Sequence, residues 1–309
     1  MSERLQKFLA RVGQGSRRQI EDWIRQGRIT INGVPAQLGV SVNGAERIEI
    51  DGHSLRVRAF GQKRRVLAYY KPIGEVTSRS DPEGRPTIFE KLPILRDSRW
   101  IAVGRLDLNT QGLLLLTNDG DLANRLMHPS SQVEREYAVR ILGEVAPATL
   151  RQLQEGVSLE EGVARFDSIR EAGGEGANHW YHVILREGRN REVRRLWESQ
   201  GLAVSRLLRV RYGPISLRRG LHPGHWDELN EAQMDELRKA VGAMPEPQPE
   251  PALPLDSRTR KPAWPNSPRR AAPTRSPAQR EGNARTAASF RRGEEPERSG
   301  GMRGRKKHD

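Results

Sequence analysis

Few side chains in this sequence stand where they could do chemistry, and Asp107 is foremost among them. It follows Gly104-Arg-Leu in the segment WIAVGRLDLNTQGLLLLTNDGDLANRLMHPS, residues 100–130. Ile101 to Val103 reads as a strand, and Leu113 to Leu116 is a continuous apolar run of the kind that forms a strand buried on both faces. Asp107 therefore falls on a loop between two core strands, a place where a rigid scaffold can hold a reacting group. The same spacing also fits an aspartate that merely turns or caps the chain. Other chemistries lack their signatures: there is no GxxxxGK[ST] phosphate loop, no GxGxxG fingerprint and no GxSxG elbow. His179 and His182 fall on opposite faces of HWYHVIL, and His222 and His225 sit in a Pro-Gly turn. None has carboxylates at matching spacing, so no metal site is expected. Cysteine is absent, which excludes disulfides and thiolate ligands and fits a reducing compartment.

Two further segments supply polar groups on predictable elements. EREYAVRIL, residues 134–142, alternates so that Tyr137, Val139 and Ile141 share one strand face. ILREGRNREVRRLWESQG, residues 184–201, runs from a strand through Gly188 into a helix, with Asn190 the expected N-cap and Val193, Leu196 and Trp197 the apolar face. Arg191 and Arg195 are expected on one side of that helix. Arg194 stands four residues before Glu198, a spacing that predicts a surface ion pair of about 0.2–0.5 kcal/mol. Between the first segment and these two, Asn118 or Asp119 is placed to cap a helix carrying Leu122, Leu126 and Met127.

Three zones position these groups. In residues 1–60, Leu5, Phe8 and Leu9 mark one helix face, and Ser16 caps a second helix carrying Ile20, Trp23 and Ile24. Arg17, Arg18 and Arg25 are left for solvent. Ile29–Ile31 enters an Asn32-Gly33 hairpin turn, and Arg47–Ile50 is a further strand. Residues 63–242 alternate strand-like and helix-like segments. Residues 243–309 hold 11 of the 20 prolines and 15 basic against 8 acidic side chains, a composition expected to stay disordered and to end in a basic arm at Arg303, Arg305, Lys306 and Lys307. The whole chain of 309 residues carries a net charge of +14. Such a surface seeks polyanions, whether RNA, DNA or an anionic membrane. The longest strongly apolar run, Leu113–Leu116, is far too short to span a bilayer, and MSERLQKFLARVG lacks the apolar core of a signal peptide, so a cytoplasmic setting is expected.

The run RLQKFLARVGQGSRRQIEDWIRQGRITING resembles the αL-type RNA-binding module known from a ribosomal protein, a likeness that covers residues 3 to about 58. GRLDLNTQGLLLLTNDGDLANRLMHP, EREYAV and EGRNREVRRLWE together resemble the motifs of the RsuA/RluB-type pseudouridine synthases. YYKPIGEVTSRSDP, residues 69–82, resembles that family's opening strand and loop. The likeness spans residues 3 to about 240 in the right order. Asn109 and Gln111 stand where the family often has an acidic or small residue, and neither position is thought to do chemistry.

The resemblance implies an α+β fold: a small RNA-binding module over residues 1–60, a mixed and mainly antiparallel-sheet catalytic domain over residues 63–242, and the tail. It implies isomerisation of a uridine in ribosomal RNA to pseudouridine, with Asp107 as the catalytic carboxylate. Arg194 is then the cation that pairs with Asp107 and keeps it ionised, and Tyr137 stacks on the base or accepts its C5 proton. Arg105 would hold the RNA with its target nucleotide extruded. Arg17, Arg18, Arg28, Lys71 and Arg191 would contact RNA. No cofactor or metal is implied, and a monomer is expected. EGRNREVRRLWE and the basic tail favour 23S over 16S rRNA as the target. A catalytically silent RNA-binding assembly factor is the alternative from another class.

Overall fold

The computed structural model describes residues 2–55, 63–95 and 98–243; the expected tail lies, beyond Ala243, outside the described residues. Near the N-terminus, helices α1 (Leu5–Arg11) and α2 (Arg17–Arg25) pack Leu5, Phe8, Leu9, Ile20 and Ile24 into one core. Ser16 caps α2 as the sequence indicates. Its hydroxyl accepts from the Gln19 amide, and the Gln19 side chain accepts from the Ser16 amide. Strands β1 (Ile29–Ile31) and β2 (Ile48–Ile50) pair antiparallel across this core. Asn32 and Gly33 both adopt positive φ, 52° and 83°, the geometry of a tight hairpin turn.

From residue 63 onward the chain builds, among the described residues, a nine-stranded sheet. Its main strands are β3 (Val66–Lys71), β4 (Gln111–Thr117), β5 (Arg135–Leu142), β6 (Ser168–Glu175), β7 (Asn178–Leu185), β8 (Val204–Tyr212) and β9 (Trp226–Glu228), in the order β6-β7-β5-β8-β4-β3-β9. Each neighbouring pair along that order is antiparallel except β8 with β4. The apolar run in β4 is explained by the layers it separates. Leu114 and Leu116 join one core with Tyr137, Val139, Ile141 and Trp197, whereas Leu113 and Leu115 join the core on the other face with Leu122, Leu126 and Tyr212. A strand covered on both faces has no place for the usual polar alternation.

Helices pack on this sheet on both faces. Helix α3 (Gly120–Met127) is capped by Asp119, whose carboxylate accepts from the amides of Asp121 and Leu122. Its Met127, expected on the apolar face, is instead partly exposed at 38%. Helix α4 (Pro147–Glu155) begins with proline at its first position, where the missing N–H costs nothing. Helix α5 (Glu192–Glu198) buries Val193, Leu196 and Trp197 as expected. Its N-cap is Arg191 at φ 49°, not Asn190, and no side chain caps it. The turn before it is held by Glu192, whose carboxylate accepts from the Arg189 amide at 3.1 Å.

Candidate active site

The joint between β8 and β4 is where the sheet changes character. These long strands share only two register pairs, Leu208 with Gln111 and Arg209 with Gly112. Gly112 has φ +111°, and a Cβ built on it would lie 2.3 Å from the Arg209 carbonyl oxygen. Only glycine allows that approach. One residue further, the Leu113 carbonyl accepts from the side chain of Arg209 (Nε, 2.7 Å). A cleft of about 850 Å³ opens beside this joint, lined by Arg105, Asp107, Tyr137, Arg135, Arg191 and Arg209 among others.

The loop carrying Asp107 is fixed at five consecutive residues. Thr77 Oγ donates to the Leu106 carbonyl (3.0 Å) and accepts from the Leu106 amide (3.3 Å). The Asp107 carbonyl accepts from Lys71 Nζ (3.0 Å), and the Leu108 carbonyl from the Gly74 amide (3.0 Å). The Asn109 carbonyl accepts from Arg194 Nη2 (2.9 Å), and the Thr110 carbonyl from Lys71 Nζ (2.9 Å). The backbone is thus held by four partners, Thr77, Lys71, Gly74 and Arg194, while the Asp107 carboxylate has no hydrogen bond or ion pair among the described residues. It is partly exposed and faces the cleft. A carboxyl group presented this way is pre-positioned and available to a bound partner.

The expected bidentate pair between Arg194 and Asp107 does not form. Arg194 is 9% exposed and commits Nη1 to the Val204 carbonyl (3.0 Å) and Nη2 to the Asn109 carbonyl. Its Nε is buried without a partner. Burial pulls the Arg194 pKa down, and the neighbouring Arg191 adds to that, while the nearby charge of Asp107 opposes it. Guanidinium has so high an intrinsic pKa that it stays charged. Arg194 therefore reaches the Asp107 loop through the Asn109 carbonyl, with no direct contact to the carboxylate. The surface pair with Glu198 is also absent: Glu198 accepts from Arg191 instead, at 3.4 Å.

Lys71, expected to reach RNA, is fully buried. Its ammonium donates to the carbonyls of Pro72, Asp107 and Thr110. Desolvation pulls its pKa down to about 8, against the attraction of Glu75 and Asp107. The strand alternation that places Tyr69 and Lys71 on one face could have revealed this, since Tyr69 belongs to the core.

Tyr137 lies where the sequence placed it, on the core face of β5 with Val139 and Ile141. It is 9% exposed and borders the cleft. Among the described residues its hydroxyl has no hydrogen-bond partner. Arg105 is exposed at the rim and carries no ion pair or hydrogen bond among the described residues. Arg17 and Arg18 are exposed on α2, whereas Arg28 is engaged with Asp51 through two hydrogen bonds (2.8 and 2.5 Å) and stacks over Trp23 at 5.1 Å. That pairing leaves Arg28 a poorer phosphate donor than sequence implied.

The sequence reading missed Arg135 and Arg209. Arg135 donates to the carbonyls of Arg186 and Glu187 (2.6 and 2.8 Å), which fixes the cleft's far wall, and both arginines lie over the Tyr212 ring. Arg135 shares a strand face with Tyr137, so period-two spacing could have found it. Arg209, opposite Tyr137 in the register, needed the strand pairing.

Residues 65–199 match the family of RNA pseudouridylate synthases, and residues 3–48 match the S4 domain. A ribosomal large subunit pseudouridine synthase B from Escherichia coli K12 is 58% identical over 264 residues, 84% of this chain and 91% of that protein. The chain belongs to the RNA pseudouridylate synthases. A ribosomal large subunit pseudouridine synthase B from Pseudomonas aeruginosa is 57% identical over 247 residues, 79% of this chain and 64% of that one. A crystal structure of a pseudouridylate synthase superposes with a TM-score of 0.54 at 26% identity, covering 76% of this chain and 99% of its own. Arg105, Asp107 and Tyr137, which line the cleft, all lie within the matched residues. Among the described residues, no helix is long and apolar enough to cross a membrane.

Proposed function

We propose that this chain isomerises one uridine of 23S ribosomal RNA to pseudouridine, with Asp107 as the catalytic carboxylate. The observation that carries the reading is the Asp107 side chain standing unpaired in the cleft while the carbonyls of residues 106–110 are each held. The N1–C1′ bond of the target uridine breaks, the base rotates, and C5 bonds to C1′. The C5 proton leaves and N1 ends protonated, so no atom is gained or lost. Asp107 serves either by attack at C1′ or by taking the 2′ hydrogen. Tyr137 lies against the base, with its free hydroxyl available for the C5 proton. Arg105 at the rim holds the strand with its nucleotide extruded, since a base within a stack cannot be reached and unstacking costs a few kcal/mol.

The large-subunit target rests on the high identity to relatives bearing that name over most of their length. Residues 1–60 act as the gripping module and residues 63–242 as the catalytic domain, working as a monomer without cofactor in the cytoplasm. The test is release of tritium from 23S rRNA labelled at uridine C5. Asp107→Asn is expected to bind RNA and fold normally yet release none above background. Normal release by that variant sinks the mechanism, and release from 16S but not 23S rRNA moves the target.

A further inference from the structure

Away from the cleft, the N-terminal module meets the catalytic part at a seam with an unusual charge arrangement. Gly13 lies against the Ser98 backbone: a Cβ there would sit 3.3 Å from the Ser98 carbonyl oxygen. Lys7 pairs with Asp121 across the same boundary at 2.7 Å. Arg17, at the start of α2, follows Gly13 by four residues, and Arg99 follows Ser98. Arg79 donates to the Trp100 carbonyl and stacks on Phe89 at 4.4 Å, which sets its guanidinium beside the same short segment.

Arg79 and Arg99 thus meet on one short segment, Arg17 on the helix that follows Gly13 is near enough for its charge to act on Arg99, and none of the three has an acidic partner among the described residues. The first turn of α2 also contains no acidic side chain. Arg99 is only partly exposed, and its Nε is buried without a hydrogen bond, as is the Ser98 hydroxyl next to it. Burial pulls the Arg99 pKa down, and the charges of Arg79 and Arg17 pull it further. An uncompensated cluster of like charge with idle donors costs stability in the free protein. A tetrahedral oxyanion supplies the missing charge and the acceptors together, and arginine matches phosphate geometry with paired N–H groups.

We propose that Arg99, Arg79 and Arg17 form a phosphate-binding site at the seam, which takes a backbone phosphodiester of the RNA. One phosphate held there ties α2 and the catalytic part to the same strand, so that gripping and catalysis share a register. The proposal rests on RNA being the substrate polymer, but the site itself does not depend on which uridine is modified.

The test uses the full chain and its Arg99→Gln and Arg99→Lys variants. Inorganic phosphate is expected to raise the melting temperature of the wild type and not that of Arg99→Gln. Without phosphate, Arg99→Gln is expected to melt no lower than wild type, because a repelled charge has gone. For binding to a structured rRNA fragment, the slope of log K against log salt should become shallower by about 0.7–0.9 in Arg99→Gln, the signature of one lost phosphate contact. Arg99→Lys should restore the slope. An unchanged slope, or a lower melting temperature with phosphate still acting as on wild type, overturns the site and leaves Arg99 as a residue of the fold. Absence of tritium release by the wild type would overturn the proposed function instead and leave these readings intact.

Discussion

Lys71 offers the sharpest separation between holding the fold and holding the catalyst. In Lys71→Met the side-chain volume is kept while the ammonium is removed. Three carbonyls, of Pro72, Asp107 and Thr110, lose their donor. Each buried acceptor left alone costs about 1–3 kcal/mol, less where the loop relaxes. Against this, the folded chain no longer buries a charge whose pKa has been pulled from 10.5 to about 8. That shift is worth about 3 kcal/mol at 1.36 kcal/mol per unit. The three acceptors together come to about 3–9 kcal/mol, so after the offset a net loss of stability between about 0 and 6 kcal/mol is expected, smaller the more the loop relaxes. Catalysis has no such compensation. A misplacement of about 1 Å at a reacting group costs about a hundredfold, so kcat should fall by that order while the RNA Kd stays within about twofold. The pH dependence follows from the same site. Between about 8 and 10.5 the unfolded chain binds more protons at Lys71 than the folded one, so this residue's contribution to stability rises with pH there. Activity moves the other way, because neutral Lys71 loses a donor and the positive field next to Asp107. Wild type should show an alkaline fall in kcat near pH 8 that Lys71→Met lacks. Stopped-flow tritium release across pH, beside urea melts, reads both. A variant with normal kcat, or one that loses RNA affinity alone, refutes the tether.

Arg194→Lys is expected to keep charge near Asp107 but to reach only one of the Val204 and Asn109 carbonyls, so kcat should drop about tenfold or more, measured at saturating RNA. Tyr137→Phe preserves the ring against the base and removes the hydroxyl; single-turnover assays should show near-normal glycosidic cleavage with slowed C5 proton loss, and an unchanged rate of tritium release assigns Tyr137 to stacking alone. Gly112→Ala puts a Cβ 2.3 Å from the Arg209 carbonyl at φ +111°. A loss of about 3 kcal/mol or more, or failure to fold, is expected from denaturant titration, and a change under about 1 kcal/mol contradicts the close approach of β4 and β8.

The elements that local pattern controls were legible in the sequence. Ser16 and Asp119 cap the helices they precede, the Leu113–Leu116 run is a doubly covered strand, and Tyr137, Val139 and Ile141 share a face. Each follows from period or from a side chain satisfying amides within three residues, which are short-range effects. What sequence could not convey is which long side chain directs its charge to which carbonyl. Lys71 is compatible with an RNA-facing role and Arg194 with an ion pair to Glu198 or Asp107, and each instead donates to backbone oxygens of the Asp107 loop, brought close by the sheet order. Their partners at Asn109 and Thr110 are 85 and 39 residues away along the chain, and carbonyl oxygens leave no trace in residue type. In the proposed mechanism the same physics bears on the unpaired acid. A direct ion pair would hold Asp107 ionised but would also occupy the oxygens that must meet the ribose. Cations anchored to the adjoining carbonyls supply positive potential while leaving those oxygens open. In that mechanism the arrangement found in place of the expected ion pair ties the loop backbone through Lys71 and Arg194 and keeps the carboxylate oxygens of Asp107 for the nucleotide.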